Sequence, residues 1–210
     1  MVCVMSTAED VGEVIGGSLN LLEIALFSPK TKRELAEVSL GDFIHIKTGN
    51  LRIVGVVGFM RFDVIGQVQP VGMIPEERKA ILPDLEDVVY GNVLKIVSLP
   101  VIGYFDGNDV VQGLPPRLPD IHDVARLLST KDIKKFHQIN GDTRFDYFNR
   151  LLQKDIGIPA ILLGHIFRRI NITWNINEVT FLQSVQESYT EVHGLDIPAG
   201  FAASLRRSMR

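Results

Sequence analysis

Five histidines, His45, His122, His137, His165 and His193, are the side chains best suited to move protons or hold a metal near neutral pH. No two lie three to five residues apart, so no single helix face offers a histidine pair to a metal. His122 and His137 fall near Asp120, Asp123 and Asp132, from which a mixed site could be assembled. Ordinary polar residues on a helix surface satisfy the same pattern. His45 is expected as a partly exposed strand residue. Glu76, Glu77, Asp84, Glu86 and Asp87 form the densest group of carboxylates. Divalent-metal nucleases use such groups, but these stand in a proline-containing stretch, where a solvated loop is the expected form.

The nucleotide motifs are absent. No glycine is followed by lysine, so the phosphate loop G-x-x-x-x-G-K-[ST] cannot be written on this chain. G-x-G-x-x-G and G-x-S-x-G are missing too. The chain is therefore expected neither to bind nor to hydrolyse ATP, to carry no cofactor, and not to be an enzyme. A formal charge of -3 argues against bulk coating of nucleic acid and against a polybasic membrane anchor.

The charge is uneven. Met1–Pro116 carries -6, Arg117–Lys154 carries +3, and Asp155–Arg210 is balanced. The middle segment reads as a solvated helical face or as a docking surface for an acidic partner or phosphates. Its candidate contact residues are Arg117, Arg126, Lys131, Lys134, Lys135, Arg144 and Arg150. The single cysteine, Cys3, excludes an intramolecular disulfide and fits a reducing cytoplasm. No secretory signal is visible. The apolar run Ile156–Ile166 is interrupted by Pro159 and His165, and falls far short of the ~20 residues that span a bilayer.

These residues need a scaffold, and Leu40–Met60 organises it. Phe43, His45 and Lys47 alternate with Ile44 and Ile46. Thr48-Gly49-Asn50 supplies a turn, and Leu51–Met60 returns as a Val/Ile-rich strand containing Gly55 and Gly58. A glycine within a strand marks a bend, a bulge or a close backbone approach. Further strands are expected at Asp10–Gly16, Leu19–Phe27, Asp63–Gln69, Val88–Leu99 and Val101–Phe105. Gly72–Asp87 is an excursion, and Asp106-Gly107-Asn108-Asp109 is a turn. This spacing predicts a six- or seven-stranded β-barrel over residues 1–113, mainly β with α in the chain as a whole.

Three prolines in residues 114–119 form a stiff connector. Residues 120–210 then read as helical and packed on the barrel. Ile121, Val124, Ala125 and Leu128 follow helical spacing. Ser129-Thr130-Lys131-Asp132 resembles a capping box, ahead of a helix burying Ile133 and Phe136. A third helix is expected over Thr143–Gln153, irregular chain or one short strand over Asp155–Ile172, and a long helix from Asn175 to His193 with Gly194 as its C-cap. Ala199–Arg210 reads as a weak basic helix.

Several stretches together carry a resemblance. They are Val11-Gly12-Glu13-Val14-Ile15-Gly16, Leu40–Ile46, Val54-Gly55-Val56-Val57, Gly91–Val97, and Leu114–Pro119 ahead of Val124. In this order they resemble the N-terminal barrel, or HAS-barrel, of HerA-type DNA translocases of archaea and bacteria, a barrel also found at the start of F- and A-type ATPase subunits. The resemblance covers roughly Asp10 to Gln153, without the RecA-like motor that follows the barrel in that family. It implies a barrel that packs against copies of itself or docks a protein partner within a DNA-processing or DNA-repair assembly, and no transferable catalytic residues. The expected function is thus a non-enzymatic interaction module, paired with a protein partner or with copies of itself, and not membrane-bound. Nucleic-acid binding through residues 117–154 is the second reading, and a metal-dependent nuclease the third.

Overall fold

The computed structural model describes residues 10–27, 37–64, 93–153 and 159–210. The strands are Asp10–Ser18 (β1), Leu21–Leu26 (β2), Phe43–Thr48 (β3), Leu51–Val56 (β4), Phe59–Val64 (β5), Val93–Asp106 (β6), Asp109–Val111 (β7) and Val124–Leu127 (β8). Six of them close into an antiparallel barrel in the order β1-β2-β6-β4-β3-β8 and back to β1. β5 and β7 pair with β6 outside that ring. The expected mixed fold, a β-barrel followed by helices, is the observed one.

Two-residue turns set the registers. Thr48 pairs with Leu51 around Gly49-Asn50, and Asp106 with Asp109 around Gly107-Asn108. Gly49 and Gly107 sit at φ of 59° and 55°, a region that costs a side-chain-bearing residue energy. The first hairpin turns at Leu19-Asn20, beyond the Gly16-Gly17-Ser18 that the sequence suggests, because β1 and β2 stay paired through Ser18 and Leu21. β4 and β5 form one run along β6, interrupted at Val57-Gly58. The two strands expected on either side of Pro100 are one strand, β6. Pro100 lies beside the register shift in the β4–β6 ladder, where its missing N–H is tolerated.

The segment 121–128, expected as a helix, is a correction. Val124–Leu127 is a strand, pairing with β1 on one side and β3 on the other. The ring would stay open without it, and closure overrides a helical spacing carried by only four residues. Asp120 and Asp123 make the turn that precedes it, with the Asp120 N–H donating to Asp123 Oδ2 at 3.0 Å. The region 120–210 therefore contains strands as well as helices.

Helices Thr130–His137 (α1), Phe148–Gln153 (α2), Pro159–Trp174 (α3), Glu178–His193 (α4) and Ala199–Met209 (α5) follow. Between α1 and α2, Gln138–Ile139 (β9) and Asp142–Thr143 (β10) form a small hairpin around Asn140-Gly141, both at positive φ. The expected helix over Thr143–Gln153 is thus shortened, because Asp142 and Thr143 are taken up by strand pairing. The capping box holds: Ser129 Oγ accepts from the Asp132 N–H at 3.1 Å. α4 is capped by Asn177, whose Oδ1 accepts from the Val179 N–H, while Asn175 at φ 52° ends α3. Gly194 closes α4 in the left-handed region, as expected.

α3 replaces the expected irregular stretch. Pro159 is its first residue, where a missing N–H costs nothing. Gly164 is its crossing point with α5: a Cβ there would come within 2.8 Å of the Ser208 carbonyl carbon. The strands expected over 63–69 and 88–92, the excursion 72–87 with its carboxylates, and Cys3 lie outside the described residues, except that Asp63 and Val64 belong to β5.

Two hydrophobic clusters result. The barrel interior is aliphatic: Val14, Leu22, Ile24, Ile44, Ile46, Ile53, Val97, Leu99 and Ala125 are buried together. The outward residues Phe43, Val54, Val56, Ile102 and Phe105 join a second cluster with the helices, built on Phe136, Phe145, Tyr147, Phe148, Phe167 and Phe181. Each fully buried large side chain contributes roughly 1.5–3 kcal/mol. No described helix is long and apolar enough to cross a membrane.

Candidate functional site

The seven basic residues singled out in the sequence make different local contacts. Arg117 donates to the Thr48 carbonyl at 2.8 Å and to Asn50 Oδ1 at 3.1 Å, closing over the β3–β4 turn. Arg126 pairs with Asp10 at 2.6 Å and Arg144 with Asp146. Arg150 is half-buried and donates to the Ile102 and Gln112 carbonyls. Lys135 reaches Asn108 Oδ1 at 3.3 Å. Lys131 and Lys134, exposed on α1, have no ion pair among the described residues. Most of these cations are thus engaged in local contacts, a use that charge counting cannot separate from docking.

Two of the histidines, His45 and His137, are more buried than their sequence contexts suggest. His45 is expected to be partly exposed but is only 7% exposed, between β4 and β8 on the outer face of β3. Its Nδ1 has no hydrogen-bond partner. Burial, with Arg52 and Arg126 nearby, lowers its pKa to about 4, against the weaker pull of Asp132. Asp132 is occupied by Arg52 at 2.9 Å, and Arg52 also lies over the Phe105 ring at 4.3 Å. His137 is fully buried and ringed by Phe43, Phe136, Phe145, Tyr147 and Trp174. Its Nδ1–H donates to the Ile133 carbonyl at 2.8 Å, which leaves Nε2 to accept from the Tyr147 hydroxyl at 2.8 Å. Burial pushes its pKa down to about 4 as well, so the ring is neutral near pH 7. His122 is exposed at φ 72°, with Nδ1 3.1 Å from Glu13. Among the described residues, no three His, Cys, Asp or Glu side chains are placed to hold a metal. The His122–His137 grouping with Asp120, Asp123 and Asp132 is therefore not assembled.

Two surface features remain, and the sequence reading passed over both. One is β5. It pairs with β6 by one edge, and among the described residues no strand pairs with the other. It carries Phe59 and Phe62, 53% and 73% exposed, beside the Arg61–Glu23 pair. Alternation around Phe59 and Phe62 would have assigned one of them inward, so periodicity gave no signal.

The other is a polar cleft of about 370 Å³ between the segment leading into α2 and one face of α4. Thr143, Arg144, Asp146 and Asn149 line one wall, and Ser184, Glu187, Ser188 and Glu191 the other. Gln112, just after β7, fixes the first wall to the barrel. Its Nε2 donates to the Phe136 and Arg144 carbonyls, and its Oε1 accepts from the Asp146 N–H at 2.8 Å. Ser184, Glu187, Ser188 and Glu191 fall at i, i+3, i+4 and i+7, a polar stripe legible in the sequence beside the apolar Phe181 and Val185.

No protein-family model matches the chain, and no curated protein matches it in sequence.

Proposed function

We propose that the chain is a non-enzymatic assembly module, a subunit or accessory factor that docks another protein chain through β5. The observation that carries this reading is the pair of exposed phenylalanines on a strand attached outside a closed ring. Closure removes the edges through which sheets associate, so the barrel itself offers side chains only. β5 adds an edge that no described strand pairs, and an exposed phenylalanine on each of its two faces; exposed aromatic side chains beside such an edge mark a contact surface. The resemblance to the barrel of HerA-type translocases supports a DNA-processing assembly as the setting, with a ring of copies or a separate protein as the partner. A second reading, nucleic-acid binding, draws on Lys131 and Lys134, two exposed cations of α1 without an ion pair among the described residues.

The test compares wild type with Phe59→Ser/Phe62→Ser. Sedimentation velocity reports self-association, and quantitative capture from native lysate reports a stoichiometric partner. We expect association that the double variant loses while its melting temperature holds. Equal behaviour of the two proteins rejects β5 as the contact. Oligonucleotide binding that weakens with salt and is lost in Lys131→Glu/Lys134→Glu would favour the second reading. Metal-dependent cleavage or ATP hydrolysis by the pure chain would reject a non-enzymatic module.

A further inference from the structure

The cleft between the α2 lead-in and α4 has a chemistry of its own. Its lining holds one arginine against three carboxylates, and Arg144 is already paired with Asp146. Among the described residues Glu187 and Glu191 therefore stand without a cation, one helical turn apart on the same face of α4. Like charges at i and i+4 destabilise a helix. A locally unfavourable arrangement with no evident structural return is where function is expected.

The polar groups of the cleft point to the same ligand. Ser188 is only 9% exposed, lines the cleft, and its hydroxyl has no hydrogen-bond partner among the described residues. The amide of Asn149 is oriented by its Nδ2, which donates to Glu191 Oε2 at 2.7 Å. That orientation leaves Asn149 Oδ1 buried and unpaired. Buried polar atoms are seldom left unsatisfied, and each unmade bond costs energy. The available groups are thus an amide oxygen, a hydroxyl and two carboxylates, all of them able to accept and only the hydroxyl able to donate as well. A ligand that satisfies them must bring several N–H donors and positive charge. The volume, about 370 Å³, lies within the range of small-molecule sites and exceeds what a bare ion fills.

We propose that this cleft binds an organic cation, an alkylammonium or guanidinium group, with Glu187 and Glu191 opposing its charge and Ser188 and Asn149 Oδ1 accepting from its N–H groups. Two sources share that chemistry: a free small amine, and a lysine or arginine side chain of a protein. The site is separate from β5, so it stands or falls independently of the assembly reading.

The experiment is an NMR titration of the full ¹⁵N-labelled chain at low ionic strength. Agmatine represents the free amine, a capped arginine-containing peptide the protein side chain, and potassium chloride at matched ionic strength the control. We expect saturable shifts at the Asn149 and Ser188 amides with agmatine or with the peptide, and none with the salt. Tighter binding of agmatine identifies a small-molecule site, and tighter binding of the peptide identifies a side-chain site. Glu187→Gln/Glu191→Gln should weaken binding about tenfold or more, since charge-assisted hydrogen bonds are lost. That variant removes a like-charge pair and should fold at least as well. Ser188→Ala is the second variant and should weaken binding by a smaller factor. No saturable shift with either cation, shifts equal to those with salt, or unchanged affinity in the double glutamine variant overturns the proposal.

Discussion

The two hydrophobic clusters are built on different principles. The barrel interior is aliphatic. Its residues come from strands, where a period of two sends alternate side chains inward. The layer beneath the helices is aromatic and assembled from separate elements: Phe136 and His137 from α1, Phe145 and Tyr147 from the loop, Phe148 from α2, Phe167 from α3 and Phe181 from α4. It encloses a buried histidine–tyrosine hydrogen bond at 2.8 Å. The strand cluster depends on register, whereas the helical cluster depends on the shapes of large rings and on the protonation of one imidazole. The two share a wall, because Phe43, Val54, Val56, Ile102 and Phe105 are barrel residues buried by the helices.

The strongest way to break this comparison is Phe148→Ala. The ring is fully buried, stacked on Phe145 at 4.8 Å and 12°, and edge-on to Tyr147 and Phe181. Its loss should cost ~3–5 kcal/mol. Because the wall is shared, barrel and helices should unfold in one transition. Near-ultraviolet circular dichroism follows the aromatic layer, and far-ultraviolet dichroism follows the backbone. Coincident, jointly shifted curves are expected. A backbone transition left at the wild-type midpoint would mean that the barrel stands without its helical cover.

Acid sharpens the comparison. His45, at the seam, and His137, within the aromatic layer, both have folded pKa values of about 4, below the ordinary 6.5. A histidine whose folded pKa is depressed favours folding only while it is neutral. Its contribution is complete above pH 6.5 and falls as pH drops towards 4. By pH 5 each should cost about 2 kcal/mol relative to pH 7. His165, also lowered by burial, acts in the same direction. Asp42 acts oppositely: burial raises its carboxyl despite the Arg169 partner at 2.9 Å, so its protonation favours the fold in the carboxylate range. Urea midpoints at pH 7, 6 and 5 should therefore fall steadily. A flat profile, or His45 and His137 imidazole resonances titrating near pH 6.5, would refute buried neutral histidines.

What could be read in advance divides along the same line. The β3–β4 hairpin was legible because Ile44, Ile46 and Ile53 alternate with Phe43 and Val54 around Gly49-Asn50, and sequence neighbours there are also spatial neighbours. β8 was not legible. Ala125 is a short residue in a four-residue strand, and its place is set by β1 and β3, which are distant in the chain. α3 was hidden by Pro159 and Gly164, which read as helix breakers. One is harmless at a first turn, and the other is required by the close approach of α5. The β5 phenylalanines gave no signal because exposure of a large apolar residue is not a local property. The cleft was half legible, since the α4 stripe shows its spacing but nothing in the sequence places Asn149 across from it.

The smallest of these effects tests the aliphatic side. Gly55 lies mid-strand in β4, and its φ is not positive. The reason for glycine there is space. A Cβ would stand 2.5 Å from Leu99 Cγ and 2.9 Å from the Pro100 carbonyl oxygen, at the register shift where β4 meets β6. The Leu99 side chain is fully buried and has little room to turn aside, and the Pro100 carbonyl is backbone. Gly55→Val must therefore push β4 and β6 apart at the bend. Overpacking of a tight core costs about 1–3 kcal/mol, so about 2 kcal/mol is expected from thermal or urea unfolding. Valine's preference for strands works the other way by less than ~1 kcal/mol. Gly55→Ala should show most of the same loss, because the first added carbon makes the contact. Pairing either variant with Leu99→Ala should recover part of it by emptying the space that the new carbon enters. If Gly55→Val unfolds at the wild-type midpoint, the bend has slack and the interior tolerates shape as loosely as the aromatic layer is expected not to. If the loss appears but Leu99→Ala recovers none of it, the clash lies with the Pro100 backbone alone, and the bend is fixed by main-chain approach rather than side-chain packing.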